Sequence, residues 1–173
     1  MTDARRIAVA LTVALLGVVP AHAGELIDAS RAFFKDALLT RCVPAILTGT
    51  PLNTDRYLRV SDQTARRAYG VDRFAVWTAP TRPPAALIDF EPATCGTLLV
   101  FSGDAEWVFA LADEWFGPKT SFTLVSESGE GDVSKRRYQA VRPGAPTVDV
   151  QISASGRSGR VLATVAAIKA GSQ

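Results

Sequence analysis

The chain has 173 residues, with 19 basic and 17 acidic side chains and one histidine, His22. This near-neutral balance argues against nucleic acid and against an anionic membrane surface as electrostatic partners. His22 lies within a predicted signal peptide, so the mature chain would carry no imidazole. That excludes Ser–His–Asp catalysis, Cys–His catalysis and histidine-ligated zinc. We expect neither a metal nor a cofactor.

Residues 1–23 have the three parts of a secretory signal peptide. Arg5 and Arg6 precede an apolar run over residues 7–19, and a small-residue cleavage site ends at Ala23. The apolar run is shorter than the roughly 20 residues that span a bilayer. We therefore expect cleavage after Ala23, export to the periplasm or the medium, no transmembrane segment, and a single domain over residues 24–173.

The mature chain is predicted to begin with an amphipathic helix over residues 24–40. Ile27, Phe34 and Leu38 recur at helical spacing, with charged residues between them. Pro44 disfavours helical conformation in the residue before it. The helix is therefore expected to end near residues 41–42.

Cys42 and Cys95 are the only cysteines, and an oxidising compartment favours a bridge between them. Closing this loop of about 53 residues would stabilise the fold by about 4 kcal/mol in the chain-entropy model. The alternative is a redox-active thiol. It is disfavoured because neither cysteine lies in a C-x-x-C motif or at an evident helix N-terminus.

Residues 43–60 are rich in proline and glycine and are predicted to be a connection. Ser61 is a candidate N-cap for a short helix that ends at Gly70. Three strands are predicted to follow, over residues 73–78, 86–90 and 94–101. Residues 98–101 are apolar on both faces, which predicts a central strand covered on both sides.

The central helix is predicted over residues 103–117. Trp107, Leu111 and Trp115 recur every four residues and form one apolar stripe. Gly117 and Pro118 are typical of a helix end, since glycine tolerates a left-handed closing residue and proline cannot continue the helix. We expect both tryptophans to pack in the core. The alternative is that they line a ligand pocket with Trp77.

Short turns rich in glycine and proline separate four further predicted strands, which form an antiparallel meander. They cover residues 120–127, 133–141, 147–154 and 160–169. Clean alternation in the third strand predicts a register with Ala140 opposite Val148 and Tyr138 opposite Val150, which leaves the other face polar and solvated. The fold class is α+β: an antiparallel sheet packed against the N-terminal helix and the central helix.

The densest basic run suggests a surface for a partner. Lys135, Arg137 and Arg142 are a candidate partner-binding patch for an acidic protein or an anionic envelope component. The alternative is a solvated sheet face with cross-strand pairs to Asp149.

Two groups of acidic residues could carry chemistry. Asp89 and Glu91 are two residues apart on a predicted strand and share a face, which could serve acid–base catalysis or simply mark the strand end. Glu127, Glu130 and Asp132 could supply oxygens to a hard cation, but their spacing matches no EF-hand and is typical of a solvated hairpin turn.

Three functions remain open from the sequence. The first is a non-enzymatic periplasmic binding or interaction protein, since no catalytic motif is recognised. The second is a carboxylate-dependent hydrolase acting on envelope glycan, which needs Asp89 or Glu91 and another carboxyl group roughly 5–10 Å away. The third is a small ligand or lipid carrier with a cavity beside the tryptophans.

Overall fold

The computed structural model describes residues 20–69, 74–79, 85–90, 93–100, 106–141, 143, 145–157 and 159–168. The predicted residues Gly70, Glu91 and Arg142, the first 19 residues of the predicted signal peptide, and the predicted start of the central helix lie outside these ranges. The described part is an α+β fold with an eight-stranded antiparallel sheet, as predicted. No described helix is both long and apolar enough to cross a membrane.

The N-terminal helical segment is longer than predicted. Helix α1 (Pro20–Lys35) continues through a π-helical stretch (Asp36–Cys42) into α2 (Val43–Thr48), and Gly49 closes α2 in a left-handed conformation with φ 65°. The expected end near residues 41–42 is therefore wrong. Pro44 lies in the first turn of α2, but the residues before it are already helical, so the proline restriction on Val43 is overridden.

The sheet consists of two four-stranded meanders joined edge to edge: the first meander is β1–β4 and the second meander is β5–β8. Strands run in the spatial order β1-β2-β3-β4-β8-β7-β6-β5, so the β4–β8 pair joins the two meanders. The strands are β1 (Leu58–Arg59), β2 (Ala75–Thr78), β3 (Ala85–Asp89), β4 (Thr94–Val100), β5 (Thr123–Glu130), β6 (Val133–Ala140), β7 (Thr147–Ser155) and β8 (Arg160–Ile168). The predicted C-terminal meander is confirmed, whereas β1 lies in a segment that was expected to be a connection.

One face of the sheet packs on the helices. Helix α4 (Glu106–Phe116) and the N-terminal helical segment cover it, and Phe34, Leu38 and Phe116 are fully buried there. Burying a large apolar side chain stabilises a fold by roughly 1.5–3 kcal/mol. This layer is the main core of the protein.

The disulfide is confirmed. Cys42 and Cys95 are bonded, with their Cα atoms 5.5 Å apart, and no described cysteine is free. The bridge joins the end of the π-helical stretch to β4. It therefore fixes the helical layer to the centre of the sheet.

Helix α4 ends where the sequence predicts, but Gly117 does not close it in a left-handed conformation. Glycine is favoured at this position because a Cβ would collide with the carbonyl oxygen of Asp113. Trp107 and Trp115 are half-buried and flank Phe34, with ring centroids 6.4 and 6.1 Å away. The tryptophans therefore pack at the rim of the core.

In the part of the chain that the structure describes, helices cover the opposite face only over the first meander. A short helix α3 (Asp62–Thr64), capped by Ser61 Oγ, continues as a π-helical stretch (Ala65–Tyr69). Ala65 packs there with Ile88, Leu98 and other buried side chains of β2–β4. Because Leu99 is buried on the helix-facing side, β4 is covered on both faces, which confirms the prediction for this strand.

Over the second meander the same face carries polar side chains and is covered by no described helix. The predicted β6–β7 register is confirmed, with Ala140 opposite Val148 and Tyr138 opposite Val150. The expectation of a fully solvated polar face is wrong at one position, because Asp149 is only 3% exposed. Its charge is satisfied by neighbouring side chains, as described below.

Candidate functional site

The basic run on β6 is divided between the two faces of the sheet. Arg136 faces α4, where its Nη1 donates to Asp113 at 2.6 Å, its Nη2 donates to Glu127 at 2.9 Å, and its guanidinium carbon lies 5.0 Å from the Phe109 ring centroid. Strand alternation turns Lys135 and Arg137 to the opposite face. Arg136 therefore anchors α4 to the sheet, and the other two cations are left for the polar face.

Tyr138 extends the anchor that Arg136 forms. Its hydroxyl donates to Asp113 Oδ1 at 2.7 Å, next to the Arg136 contact on Oδ2. Burial, together with this bond to a carboxylate, raises the pKa of Tyr138 well above its ordinary value. The hydroxyl stays protonated at neutral pH and acts as a structural donor.

A shallow cavity of about 250 Å³ lies on the polar face of the second meander. Its described lining comprises Ser126, Ser128, Lys135, Arg136, Arg137, Gln151, Ile152, Ser153, Leu162 and Thr164. Hydroxyl, amide and cationic groups predominate in this lining. Such groups bind oxyanions and polar chains better than they bind apolar ligands.

Asp149 is the buried support of this surface. Its Oδ1 accepts hydrogen bonds from Arg137 Nε at 2.6 Å and from Gln139 Nε2 at 2.9 Å, and its Oδ2 accepts one from Gln151 Nε2 at 2.8 Å. An unpaired buried carboxylate would cost several kcal/mol, so these three donors are what make its burial tolerable.

The Asp149 contacts orient the Arg137 guanidinium. Only Nε of Arg137 is used, and no acceptor for Nη1 or Nη2 is found among the residues that the structure describes. The side chain is 39% exposed. Arg137 therefore presents two donors in a fixed fork, the geometry that suits a carboxylate or a phosphate.

Lys135 is the second cation of the predicted patch on this face. It is exposed, and no ion pair to it occurs within the described ranges. Lys135 pairs across the sheet with Ser128 and Ser153, as Arg137 pairs with Ser126 and Gln151. Lys135 and Arg137 thus share one surface, flanked on both sides by small or neutral polar residues.

The sequence suggested a partner-binding patch and, as the alternative, a solvated sheet face with cross-strand pairs to Asp149. Features of both are present in the structure. The cross-strand pair between Arg137 and Asp149 exists, and the same arginine lines the cavity. The sequence did not reveal that Asp149 is buried. The signal that could have shown it is the amide pair around it, Gln151 two residues along β7 and Gln139 directly opposite on β6.

The carboxylate predicted for acid–base chemistry lies elsewhere. Asp89 ends β3 and lines a second cavity of about 290 Å³, together with Thr94, Cys95 and residues that follow α2. Asp89 is the only carboxylate among the described lining residues. Its proposed companion, Glu91, falls outside the part of the chain that the structure describes.

The three acidic residues near the β5–β6 turn do not converge. Glu127 bonds Arg136 on the helix-facing side, whereas Asp132 accepts from Ser155 Oγ at 2.9 Å and from the Arg157 backbone N–H at 3.1 Å. These hydrogen bonds lower the pKa of Asp132. In the described part of the chain, no three His, Cys, Asp or Glu residues are grouped to hold a metal ion.

A further polar cluster, which the sequence did not indicate, joins the helical segment to the following loop. Asp36 Oδ2 accepts from Tyr57 Oη and from Arg41 Nε, both at 2.7 Å. Arg41 also stacks on the Tyr57 ring at 4.5 Å and donates to the Asn53 carbonyl at 2.7 Å. All of these groups are used internally, so the cluster is structural.

No protein-family model, curated protein or solved structure matches this chain. Function must therefore be inferred from the chemistry of its own surfaces, since a fold alone does not specify function.

Proposed function

We propose that this protein is an exported, non-enzymatic binding protein, periplasmic or secreted, that engages an anionic group of a protein or envelope component on the polar face of the second meander. The observation that carries the proposal is the Arg137 fork. A buried Asp149 holds this guanidinium, and its two terminal nitrogens are left for a ligand beside the exposed Lys135.

The energetics of the Asp149 contacts support a binding role. A neutral residue could fill the position of Asp149 without the desolvation that a buried carboxylate requires. What the carboxylate adds is an arginine whose orientation is already set before any ligand arrives. A pre-oriented donor pair loses less conformational freedom on binding than a free side chain does, and this raises affinity.

Two features support export. The first is the signal-peptide pattern that ends at Ala23. The second is the Cys42–Cys95 bridge, which is typical of oxidising compartments. Fractionation of cells that produce the full chain, with mass measurement of the product, tests this part. A product that begins at Gly24 in the periplasmic fraction supports it, and an uncleaved cytoplasmic product contradicts it.

The other two functions have less support. A glycan hydrolase needs two carboxyl groups across a groove, and the cavity beside Asp89 has one among its described lining residues. A ligand carrier needs a cavity beside the tryptophans, whereas Trp107 and Trp115 pack against Phe34 and neither cavity described above is lined by a tryptophan.

The proposed binding is tested by calorimetric titration of the mature protein. The probes are pentaglutamate and a short inorganic polyphosphate, with pentaglutamine as the neutral control for the peptide. We expect the anionic probes to bind and pentaglutamine not to bind. Preference for the peptide or for the polyphosphate then separates a carboxylate partner from a phosphate-bearing one. Failure of both anionic probes to bind would overturn the proposal.

Variants locate the binding surface. Replacing Lys135 and Arg137 together by glutamine should lower the affinity for the tighter-binding probe at least about tenfold, since charge-assisted hydrogen bonds contribute about 1.5–3 kcal/mol each. Lys119→Gln is the matched control, because Lys119 is also exposed but follows α4, away from the cavity. An equal loss of affinity in the double variant and in Lys119→Gln would contradict the assignment of binding to this surface.

A further inference from the structure

The two edges of the sheet differ in a way that concerns the cavity. Strand β1 closes one edge with two residues, whereas β5 closes the other with eight, all of them exposed. Edge strands carry backbone N–H and C=O groups that no neighbouring strand pairs, and they can accept an added strand. A short edge offers little of this, so among the described strands β5 is the edge open to strand addition.

Strand β5 is also one wall of the cavity. Ser126 and Ser128 line it, and they lie directly opposite Arg137 and Lys135 on β6. A strand added outside β5 would lie roughly 10 Å from β6, twice the spacing of neighbouring strands. The intervening serines are small, so long cationic side chains from β6 and carboxylate side chains from the added strand can meet above them.

We propose that the partner is an extended acidic peptide segment that adds to β5 as a ninth strand, with two carboxylates above Ser126 and Ser128 facing Arg137 and Lys135. This inference rests on the proposed function, since it uses the same cations. It adds the chemical class of the partner and its mode of binding. Backbone hydrogen bonds to β5 supply affinity, and the alternate side chains over the cavity supply specificity.

The charges on β5 set the order of charges in the partner. Glu130 lies on the cavity side, two residues beyond Ser128 and opposite Val133, and it is exposed. Glu127 points to the other face, where Arg136 neutralises it. The added strand should therefore carry acidic residues opposite Ser126 and Ser128 and a basic residue opposite Glu130, because like charges placed across neighbouring strands are destabilising.

A second copy of this chain fits the site less well. The cavity side of its β5 would offer two serines and Glu130, and so only one carboxylate to face two cations. If the protein alone, at micromolar concentration and without peptide, self-associates in sedimentation experiments, the proposal of a peptide rather than a second copy on β5 is contradicted.

Peptides of one composition test the charge order. Three acetylated heptapeptides are compared. The first is Val-Glu-Thr-Glu-Thr-Lys-Val, the second is the same sequence in reverse order, Val-Lys-Thr-Glu-Thr-Glu-Val, and the control is Val-Glu-Thr-Lys-Thr-Glu-Val. One of the first two should bind at least about fivefold more tightly than the control, and which one does so reports the direction of the added strand. Equal affinity for all three would overturn the proposed order of charges and with it the ninth strand.

Backbone methylation tests strand addition itself. The better peptide is made with N-methyl groups on its odd-numbered residues, or on its even-numbered ones. In an added edge strand only alternate N–H groups face the protein, so one frame should lose at least about tenfold in affinity and the other should keep most of it. If both frames bind alike, strand addition is wrong, while the proposed anion binding survives as long as pentaglutamate still binds wild type and fails on the Lys135, Arg137 double variant.

Discussion

The two meanders are built alike but are used differently. Strands β2–β4 are covered on both faces, by the N-terminal helical segment on one side and by the helical segment over residues 62–69 on the other. Strands β5–β8 share the first of these layers, and among the described residues the second layer reaches them only at Leu162 of β8. The comparison shows that helix coverage, rather than strand pairing, separates the half-sheet that is buried on both faces from the one that keeps a polar surface.

The side chains explain why coverage differs. Residues 85–88 and 98–99 are apolar in succession, so both faces of β3 and β4 must be removed from water. Strand β7 alternates between apolar and polar residues, so one of its faces is complete once it packs on the helices. On the polar face the buried carboxylate of Asp149 is neutralised by its ion pair with Arg137.

The largest effect is expected from breaking the link between the helical layer and the first meander. Replacing both Cys42 and Cys95 by alanine should lower the free energy of unfolding by about 4 kcal/mol, because the bridge closes a long loop in the unfolded chain. Urea denaturation of the two proteins measures this. A loss below about 1 kcal/mol would show that packing alone holds the two layers together.

A matched pair of substitutions compares the two meanders on one face. Ile88 and Thr164 lie in the same cross-strand row, on either side of Gly96, but Ile88 is fully buried and Thr164 is half-buried. Ile88→Ala should cost about 3 kcal/mol, and Thr164→Ala less than about 1 kcal/mol. Similar losses at the two positions would mean that the second meander is also covered.

Asp149→Asn tests the support beneath the polar face. The change keeps the shape but removes the charge, which weakens the bonds from Arg137, Gln139 and Gln151. We expect a loss of about 2 kcal/mol in unfolding free energy, the usual size for hydrogen bonds to a charged group. Asp28→Asn is the control, because Asp28 is 78% exposed, and its loss should stay within about 0.5 kcal/mol. A stability change at Asp149 no larger than the control would contradict its structural role.

The smallest effect concerns pH. Burial raises the pKa of Asp36, but hydrogen bonds from Tyr57 and Arg41 outweigh it, and the folded pKa lies below the ordinary value. Asp36 therefore stabilises the fold above the unfolded pKa of about 3.9, and this is lost as pH falls through the folded pKa. The side chain is 39% exposed, so solvent screening keeps the contribution below about 1 kcal/mol.

Urea titrations of wild type and Asp36→Asn at pH 5 and at pH 2 measure this contribution. The difference in unfolding free energy should shrink at the lower pH. A difference that stays constant would show that ionisation of Asp36 does not matter to stability.

Much of the fold could be predicted because its local signals agree. The alternation in β7 leaves one register with Tyr138, so the β6–β7 pairing is specified by the sequence. Only one disulfide is possible with Cys42 and Cys95. The apolar run over residues 98–101 marks the central strand before any pairing is known.

Other features could not be predicted because they depend on distant contacts. The helix continues past Pro44 from a π-helical stretch that ends at the bridged Cys42, and local propensity does not register such long-range constraints. The burial of Asp149 depends on side chains from two strands and on the sheet around them. Two residues of β1 are too few for a periodic pattern to show.

The central claim is that the polar face of the second meander binds an anionic partner through Arg137 and Lys135. Nuclear magnetic resonance titration of the isotope-labelled mature protein with pentaglutamate tests it most directly. The account predicts amide shifts at Ser126, Lys135, Arg137 and neighbouring residues of β5–β7, with α4 little changed. Shifts confined to the cavity beside Asp89 and Cys95, or no shifts at saturating peptide, would contradict it.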